Sequence, residues 1–381
     1  MLWLIGIALR LAILAVPPVI PALRDEFHLS GTEIGILTGI PVVVFGMAAL
    51  AGSRLIARIG VVAAIVVGLL LTSLGSACRG AASNELTLLA ATVVMGVGVA
   101  IVQPAMPALA GSWLPHRIVL GTSVYTNGLL VGEILPIGLF PVLFTALGQS
   151  WRATFVLWAV PIAVIAVLVL AVAPRAVTAG VKVSTRWWPD WPARDVWRLG
   201  LIFGGVGPLY FGSNTFLPGY LSEVGRSDLI SPALTALNLG QFPASLLLMG
   251  FARHVERRAW PIVVASLLGL VGLAGVVAST GVLAVASAAV LGFAAGAAFA
   301  LGLALPPILS APGEVARVSA AMFTISYAGT VVISVVGGAA WDFSGNARFA
   351  FLPIALAVLP SILLAPTIAF GPKAQAGART S

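Results

Sequence analysis

The first 23 residues, MLWLIGIALRLAILAVPPVIPAL, are apolar but for a single arginine, Arg10, near the middle of the run. A helix that crosses a bilayer needs roughly 20 apolar residues, and a charge at its centre costs roughly 2.5–3.5 kcal/mol on insertion scales. A guanidinium facing lipid would carry that cost with nothing to offset it. Arg10 is therefore expected to face a protein partner, water or a ligand, and the rest of the chain is expected to provide that surrounding. The stretch does not read as a signal peptide: it has no basic leading region, carries Arg10 inside the apolar run and passes Pro17 and Pro18 without a small-residue cleavage site.

The same kind of run recurs along the chain. Of 381 residues 60% are hydrophobic and only 8% charged, against about 25% charged in average soluble domains. Apolar runs punctuated by Gly, Pro and charge give twelve spans, at 1–23, 32–52, 60–79, 85–110, 118–147, 151–173, 197–222, 230–251, 259–279, 282–309, 315–340 and 347–370. The fold class is an all-α polytopic membrane protein, a monomer in the bilayer with no nucleic-acid partner. The net charge of +8 comes from basic residues scattered in short loops, as membrane topology requires, with no single binding face. With both termini inside, 14 basic residues lie on the cytoplasmic side and five outside, namely Arg24, Arg79, Arg152, Arg226 and Arg348. This bias favours both termini on the cytoplasmic side, and the expected location is a bacterial-type inner membrane. The lone Cys78 excludes an internal disulfide.

An internal repeat divides the spans. Pro21 to Glu26 (PALRDE) matches Pro218 to Glu223 (PGYLSE), and Leu37-Thr38 matches Leu234-Thr235 at the same offset. Two pseudo-symmetric six-helix halves are expected, residues 1–173 and 197–371, with a cytoplasmic linker at 174–196 and a cytoplasmic tail at 372–381. Trp187, Trp188 and Trp191 in the linker read as interfacial anchors. Parallel halves are one of the repeat schemes of secondary transporters, which hold substrate near the midplane.

The polar residues inside spans fall close to one depth. At about 1.5 Å per residue, Arg10, Gln103 and Asn127 each lie roughly 15 Å from the cytoplasmic end of their span. In the second half Tyr210 and Asn214 are spaced i,i+4, Asn238 and Gln241 i,i+3, and Thr324 and Tyr327 i,i+3, so each pair shares a helix face. Tyr125 joins them as cavity lining or as packing. Interhelical hydrogen bonding is the competing reading for every amide in this belt. Arg10, a planar fork of donors that stays charged, suits a small anion or carboxylate; the alternative is a structural ion pair. Glu133 is the acid placed within a span, roughly 7–9 Å further out than Arg10 and within an arginine's approach. It is expected either to carry a coupling proton or to hold a static pair. His28, His116 and His254 fall in loops, so neither a metal site nor a cofactor is expected. The chain has no phosphate-cradling GxxxxGK[ST] loop and no nucleophile–base pair at one membrane level, so an enzyme is not expected either.

The arrangement resembles the major facilitator superfamily. That family's loop motif between the second and third spans survives only in Leu55, Arg58 and Gly60, with Ala57 in place of the aspartate. Closer likeness is to its cyanate permease and 2-nitroimidazole transporter branch. Leu9-Arg10 followed by Val16-Pro17-Pro18-Val19-Ile20-Pro21, the run Gly96 to Pro107, Phe216-Leu217-Pro218 and Leu234 to Gln241 all resemble its patterns. The resemblance implies alternating access and a small-molecule substrate. The combined expectation is a secondary transporter for a small anion, cyanate-like or a small carboxylate, with proton symport through Glu133 as the favoured coupling. Its substrate would be bound by Arg10, Gln103, Asn127, Tyr125, Tyr210, Asn214, Asn238, Gln241 and Tyr327. The alternatives are an exporter of neutral nitro-aromatic or other small drugs, and a non-transporting receptor.

Overall fold

The computed structural model describes all residues except 17–18, 29–30, 149, 174–186, 280, 369 and 371–381. Most of the expected linker, 174–186, and the expected tail, 372–381, therefore lie outside the described residues. Every regular element among the described residues is helical. In chain order they are α1 (Leu2–Leu14), α2 (Ile20–Phe27), α3 (Gly31–Ile59), α4 (Val61–Gly80), α5 (Glu85–Trp113), α6 (Ile118–Ala146) and α7 (Trp151–Val172). There follow α8 (Arg194–Gly204), a π-helical turn (Pro208–Gly212), α9 (Ser213–Glu223), α10 (Ile230–Leu239), α11 (Gln241–Val255), α12 (Trp260–Ala278), α13 (Val282–Leu309), α14 (Val315–Ser344) and α15 (Phe351–Leu364).

Ten helical stretches among the described residues are long and apolar enough to cross a membrane. The first and seventh expected spans are the two that differ, and both contain proline. Pro17 and Pro18, themselves outside the described residues, lack the N–H groups that would bond back to Ile13 and Leu14. The helix ends accordingly at Leu14, about 20 Å long, and α2 starts afresh at Ile20. In the seventh span Pro208 removes the donor for the Gly204 carbonyl, and the chain continues through a π turn before α9. Pro243 does the same to Leu239, which separates α10 from α11 at Gly240. The second span runs on to Ile59, so Arg54 and Arg58 belong to a helix.

The described residues cluster into two units, Met1–Pro115, Val124–Pro189 and Pro312–Ala320 in one, and His116–Ser123, Asp190–Ala311 and Ala321–Ser381 in the other. In the first, α4 packs against α5 and α7, and α3 against α5. Serine hydroxyls reach across these contacts to spare carbonyls: Ser73 donates to Ala159 O at 2.8 Å and Ser76 to Phe155 O at 3.2 Å. Such bonds suit an interior without water. At the head of α7, Trp151 Nε1 (2.7 Å) and Arg152 (2.5 and 2.8 Å) both donate to Glu26 at the end of α2. The Arg152 and Trp151 bonds hold the Glu26 carboxyl below its ordinary range. In the second unit α12, α10 and α11 pack on α13, and α15 on α12 and α8. Its core joins Leu209, Phe216, Leu237, Leu291 and Ile354. Here Glu256 Oε1 accepts from the Ile118 N–H at 2.8 Å; burial pushes its carboxyl up, and that N–H opposes the shift.

The closest helix contact of the first unit is between α1 and α6. A Cβ on Gly128 would meet the Trp3 carbonyl, one on Gly132 the Ile7 carbonyl, and one on Gly6 the Tyr125 carbonyl. Only glycine lets the backbones come this close. Gly132→Ala should therefore destabilise the protein by about 1–3 kcal/mol through overpacking. Gly138→Ala on the same helix, where a Cβ meets nothing within 4 Å, should be neutral or stabilising by up to about 1 kcal/mol. Thermal unfolding of the two purified variants measures the difference, and equal midpoints would mean that α1 does not depend on this contact.

Candidate functional site

The glycine contact sets the register of α1 along α6, and the functional side chains follow from it. Near the start, Trp3 Nε1 donates to Asn127 Oδ1 at 3.0 Å. Two turns on, Arg10 Nη1 lies 3.3 Å from Glu133 Oε1, each side chain 13% exposed. A charged pair this withdrawn from water holds together because each ion answers the other's desolvation. One Nη of Arg10 thus faces a carboxylate oxygen, an acceptor of opposite charge. Tyr125, one turn before Leu129 on α6, is buried. Gln103 lies half-buried on α5, next to Pro104.

In the second unit the π turn and α10 build a neutral cluster. Tyr210 Oη donates to Asn238 Oδ1 at 2.7 Å, Asn238 Nδ2 donates to Asn214 Oδ1 at 3.0 Å and to Leu234 O at 2.8 Å, and Asn214 Nδ2 donates to Tyr210 O at 2.9 Å. Both amide hydrogens of Asn238 are used, so its part is to hold Tyr210 and Asn214 in place. Gln241 Nε2 makes a long 3.4 Å bond to Asn238 O at the start of α11. Tyr327 is stacked on Phe323, ring centroids 5.9 Å apart. The structure therefore brings together Arg10 with Glu133 and Tyr210 with Asn214, Asn238 and Gln241. Among the described residues no group of three or more His, Cys, Asp or Glu side chains is gathered as a metal site would need.

Sequence reasoning missed Arg79. Counted there among the outer basic residues, it is fully buried at the end of α4. Its Nη1 donates to Ala12 O at 2.7 Å, its Nε to Thr92 Oγ1 at 3.0 Å, and its guanidinium stands 5.5 Å over the Phe155 ring. The Ala12 carbonyl is one that α1 leaves open: Val16 N bonds to Ile13 instead, at 3.4 Å. Arg79 supplies the donor that the break in α1 takes away. The signal was present in the small residues around it, Gly75-Ser76-Ala77-Cys78-Arg79-Gly80, which let neighbouring helices close over a long side chain.

The sequence pattern of the Major Facilitator Superfamily matches residues 2–236. The Cyanate transport protein CynX of Escherichia coli K12 is 31% identical over 275 residues, 71% of this chain and 70% of that protein. The 2-nitroimidazole transporter of the same organism is 25% identical over 291 residues, 71% of this chain and 69% of that protein. Among solved structures, the human organic anion transporter shares the fold, with a TM-score of 0.75 over 96% of this chain and 98% of the other at 14% identity.

Removing Arg79 leaves a buried carbonyl without a donor, which costs about 1–3 kcal/mol. Arg79→Met should lower the thermal midpoint and speed amide exchange in the last turn of α1, residues 13–16, while exchange in α13 stays as in wild type. Unchanged exchange in that turn would show that the clamp is not what holds α1.

Proposed function

The chain belongs to the Major Facilitator Superfamily, and on that premise we propose that it is a secondary transporter moving a small anion by alternating access, with Arg10 as the anchor. The observation that carries the reading is the ion pair itself: a guanidinium on the apolar helix α1, held at 3.3 Å from a carboxylate and withdrawn from water. A cyanate-sized anion or a small carboxylate offers Arg10 what Glu133 offers it, and competes for the same fork. When the solute takes Arg10, Glu133 loses its cation, and a proton taken up by Glu133 restores neutrality. One anion and one proton then travel together. The relative at 31% identity, described as a cyanate transport protein, supports this solute class.

Besides Arg10, we assign solute hydrogen-bonding roles to Gln103, Asn127 and Tyr125 of the first unit and to Tyr210, Asn214, Gln241 and Tyr327 of the second, with Asn238 positioning Tyr210 and Asn214. The assigned division is two six-helix halves, 1–173 and 197–371, joined by 174–196, in a bacterial-type inner membrane with both termini cytoplasmic. A second reading, export of neutral nitro-aromatic solutes, draws on the 25% identical 2-nitroimidazole transporter and on the stacked Phe323–Tyr327 pair. It makes Arg10–Glu133 a fixed structural pair.

Uptake of labelled cyanate and a panel of small carboxylates into proteoliposomes, with and without an inward proton gradient, separates these readings. Loss of a charge-assisted bond of about 1.5–3 kcal/mol predicts a 10- to 100-fold fall in uptake efficiency for Arg10→Gln. Arg10→Lys, which keeps the charge but not the fork, should fall between Arg10→Gln and wild type. Glu133→Gln should transport without regard to the gradient. If folded Arg10→Gln carries the anions as well as wild type, or none is carried by wild type, the anion reading fails; uptake of 2-nitroimidazole unaffected by Arg10→Gln would establish the second.

A further inference from the structure

Where α8 begins and the last helix ends, the second unit carries an open groove of about 610 Å³ lined by Trp191, Arg194, Trp197, Arg198, Leu201 and Leu364. Its position in the bilayer follows from the helices. Arg194 is the first residue of α8, and Leu364 the last residue of α15, so two helix ends meet here. The apolar stretch Ala347–Thr367, long enough to cross a membrane, ends beside it, which is the level expected for the edge of the hydrocarbon layer. Its walls fit that level: Trp197 is 47% and Leu201 40% exposed, four residues apart on one face of α8, an apolar strip running inward from the polar end.

The polar end is basic and incompletely paired. Arg198 lies 3.9 Å from Asp195, beyond hydrogen-bonding distance, and the Asp195 side chain is 87% exposed to water. The Nε and Nη2 of Arg198 are buried, and neither has a hydrogen-bond partner among the described residues. Buried donors without acceptors are rare in folded proteins, and a charged fork is the costliest kind to leave open. Trp197 is not a candidate acceptor, because its Nε1 is a donor already bonded to Trp191 O at 2.8 Å. Two arginines and one aspartate leave one positive charge, the complement of a phosphodiester.

We propose that this groove binds an anionic phospholipid, the phosphate taken by Arg198 and Arg194 and an acyl chain laid along Trp197 and Leu201. Binding requires the 27% exposed Arg198 side chain to turn about its last torsions, so that its Nε–Nη2 edge, buried in this structure, would meet the phosphate, which would accept both bonds. Basic pockets at the ends of membrane helices hold lipid head groups by this chemistry. The assignment is independent of the transported solute.

The test uses the full purified chain in detergent. Thermal unfolding is followed with added phosphatidylglycerol, with phosphatidylcholine and with inorganic phosphate, and bound lipid is counted by native mass spectrometry. The variants are R194Q/R198Q, Arg198→Lys, and Arg348→Gln as an exposed arginine outside the groove. Wild type and Arg348→Gln should retain phosphatidylglycerol and gain roughly 2–4 °C over phosphatidylcholine, as expected for a ligand well above its dissociation constant. The double variant should lose both the gain and the bound lipid, and Arg198→Lys, without the fork, should retain less lipid than wild type. Equal effects of the two lipids on wild type, or retention of phosphatidylglycerol by the double variant, would overturn the proposal. So would inorganic phosphate alone giving the full gain, which would make the groove a phosphate site. If the double variant does not fold, the lipid preference of wild type and the lysine variant's retention decide.

Discussion

In hydrocarbon neither a charge nor an open carbonyl can turn to water, so whatever breaks or charges a membrane helix must be answered by another helix. In the first unit α1 raises both demands, and its neighbours meet them. Arg10 is met by Glu133 of α6, and the Ala12 carbonyl, freed near the prolines, is met by Arg79 of α4. The glycine contact with α6 places the first pair, and α4 held between α5 and α7 places the second. The open carbonyl of Ala12 and the charge of Arg10 are two residues apart, so the helix that would carry the solute anchor is held at both points from outside itself.

The second unit solves a different problem with neutral groups. A π turn widens the helix at Tyr210, and the amides of Asn214 and Asn238 close on the tyrosine hydroxyl and on backbone carbonyls. π turns occur often at functional sites because they re-aim side chains without ending the helix. Here Pro208 gives the turn a local cause, and the cluster gives it a consequence.

The spans were legible because a bilayer demands a length of apolar sequence, and proline marked where two of them yield. Tyr210–Asn214 and Asn238–Gln241 were legible as neighbours from spacing alone, while the π turn and the break at Gly240 that fall within these pairs were not. The bond between the faces, Tyr210 to Asn238, was not, because spacing within one helix carries no information on which neighbour it meets. The Arg10–Glu133 pair shows the same limit. Counting from the helix starts sets the two roughly 7–9 Å apart along the membrane normal. The register is fixed instead by Gly128 against Trp3 and Gly132 against Ile7, which slides α1 outward along α6 until the charges meet. Arg79 was illegible for a related reason: at the end of a span an arginine looks like a loop charge, and only the small residues that let helices close over it say otherwise.

The hydrogen-bond inventory separates the work of the two clusters. Asn238 has spent both its amide hydrogens, and Asn214 has spent one on Tyr210 O. Such a set can orient a solute and exclude wrong shapes, but it has little positive potential left to hold a full negative charge. Arg10 is different in kind: its charge persists whatever it is bonded to, and its present partner is itself an anion that can be exchanged. On the proposed reading, charge recognition falls to this pair, with a solute anion taking the place of Glu133 at Arg10. The same reading ties the solute to the fate of Glu133, so the proposed coupling calls on no group beyond the pair.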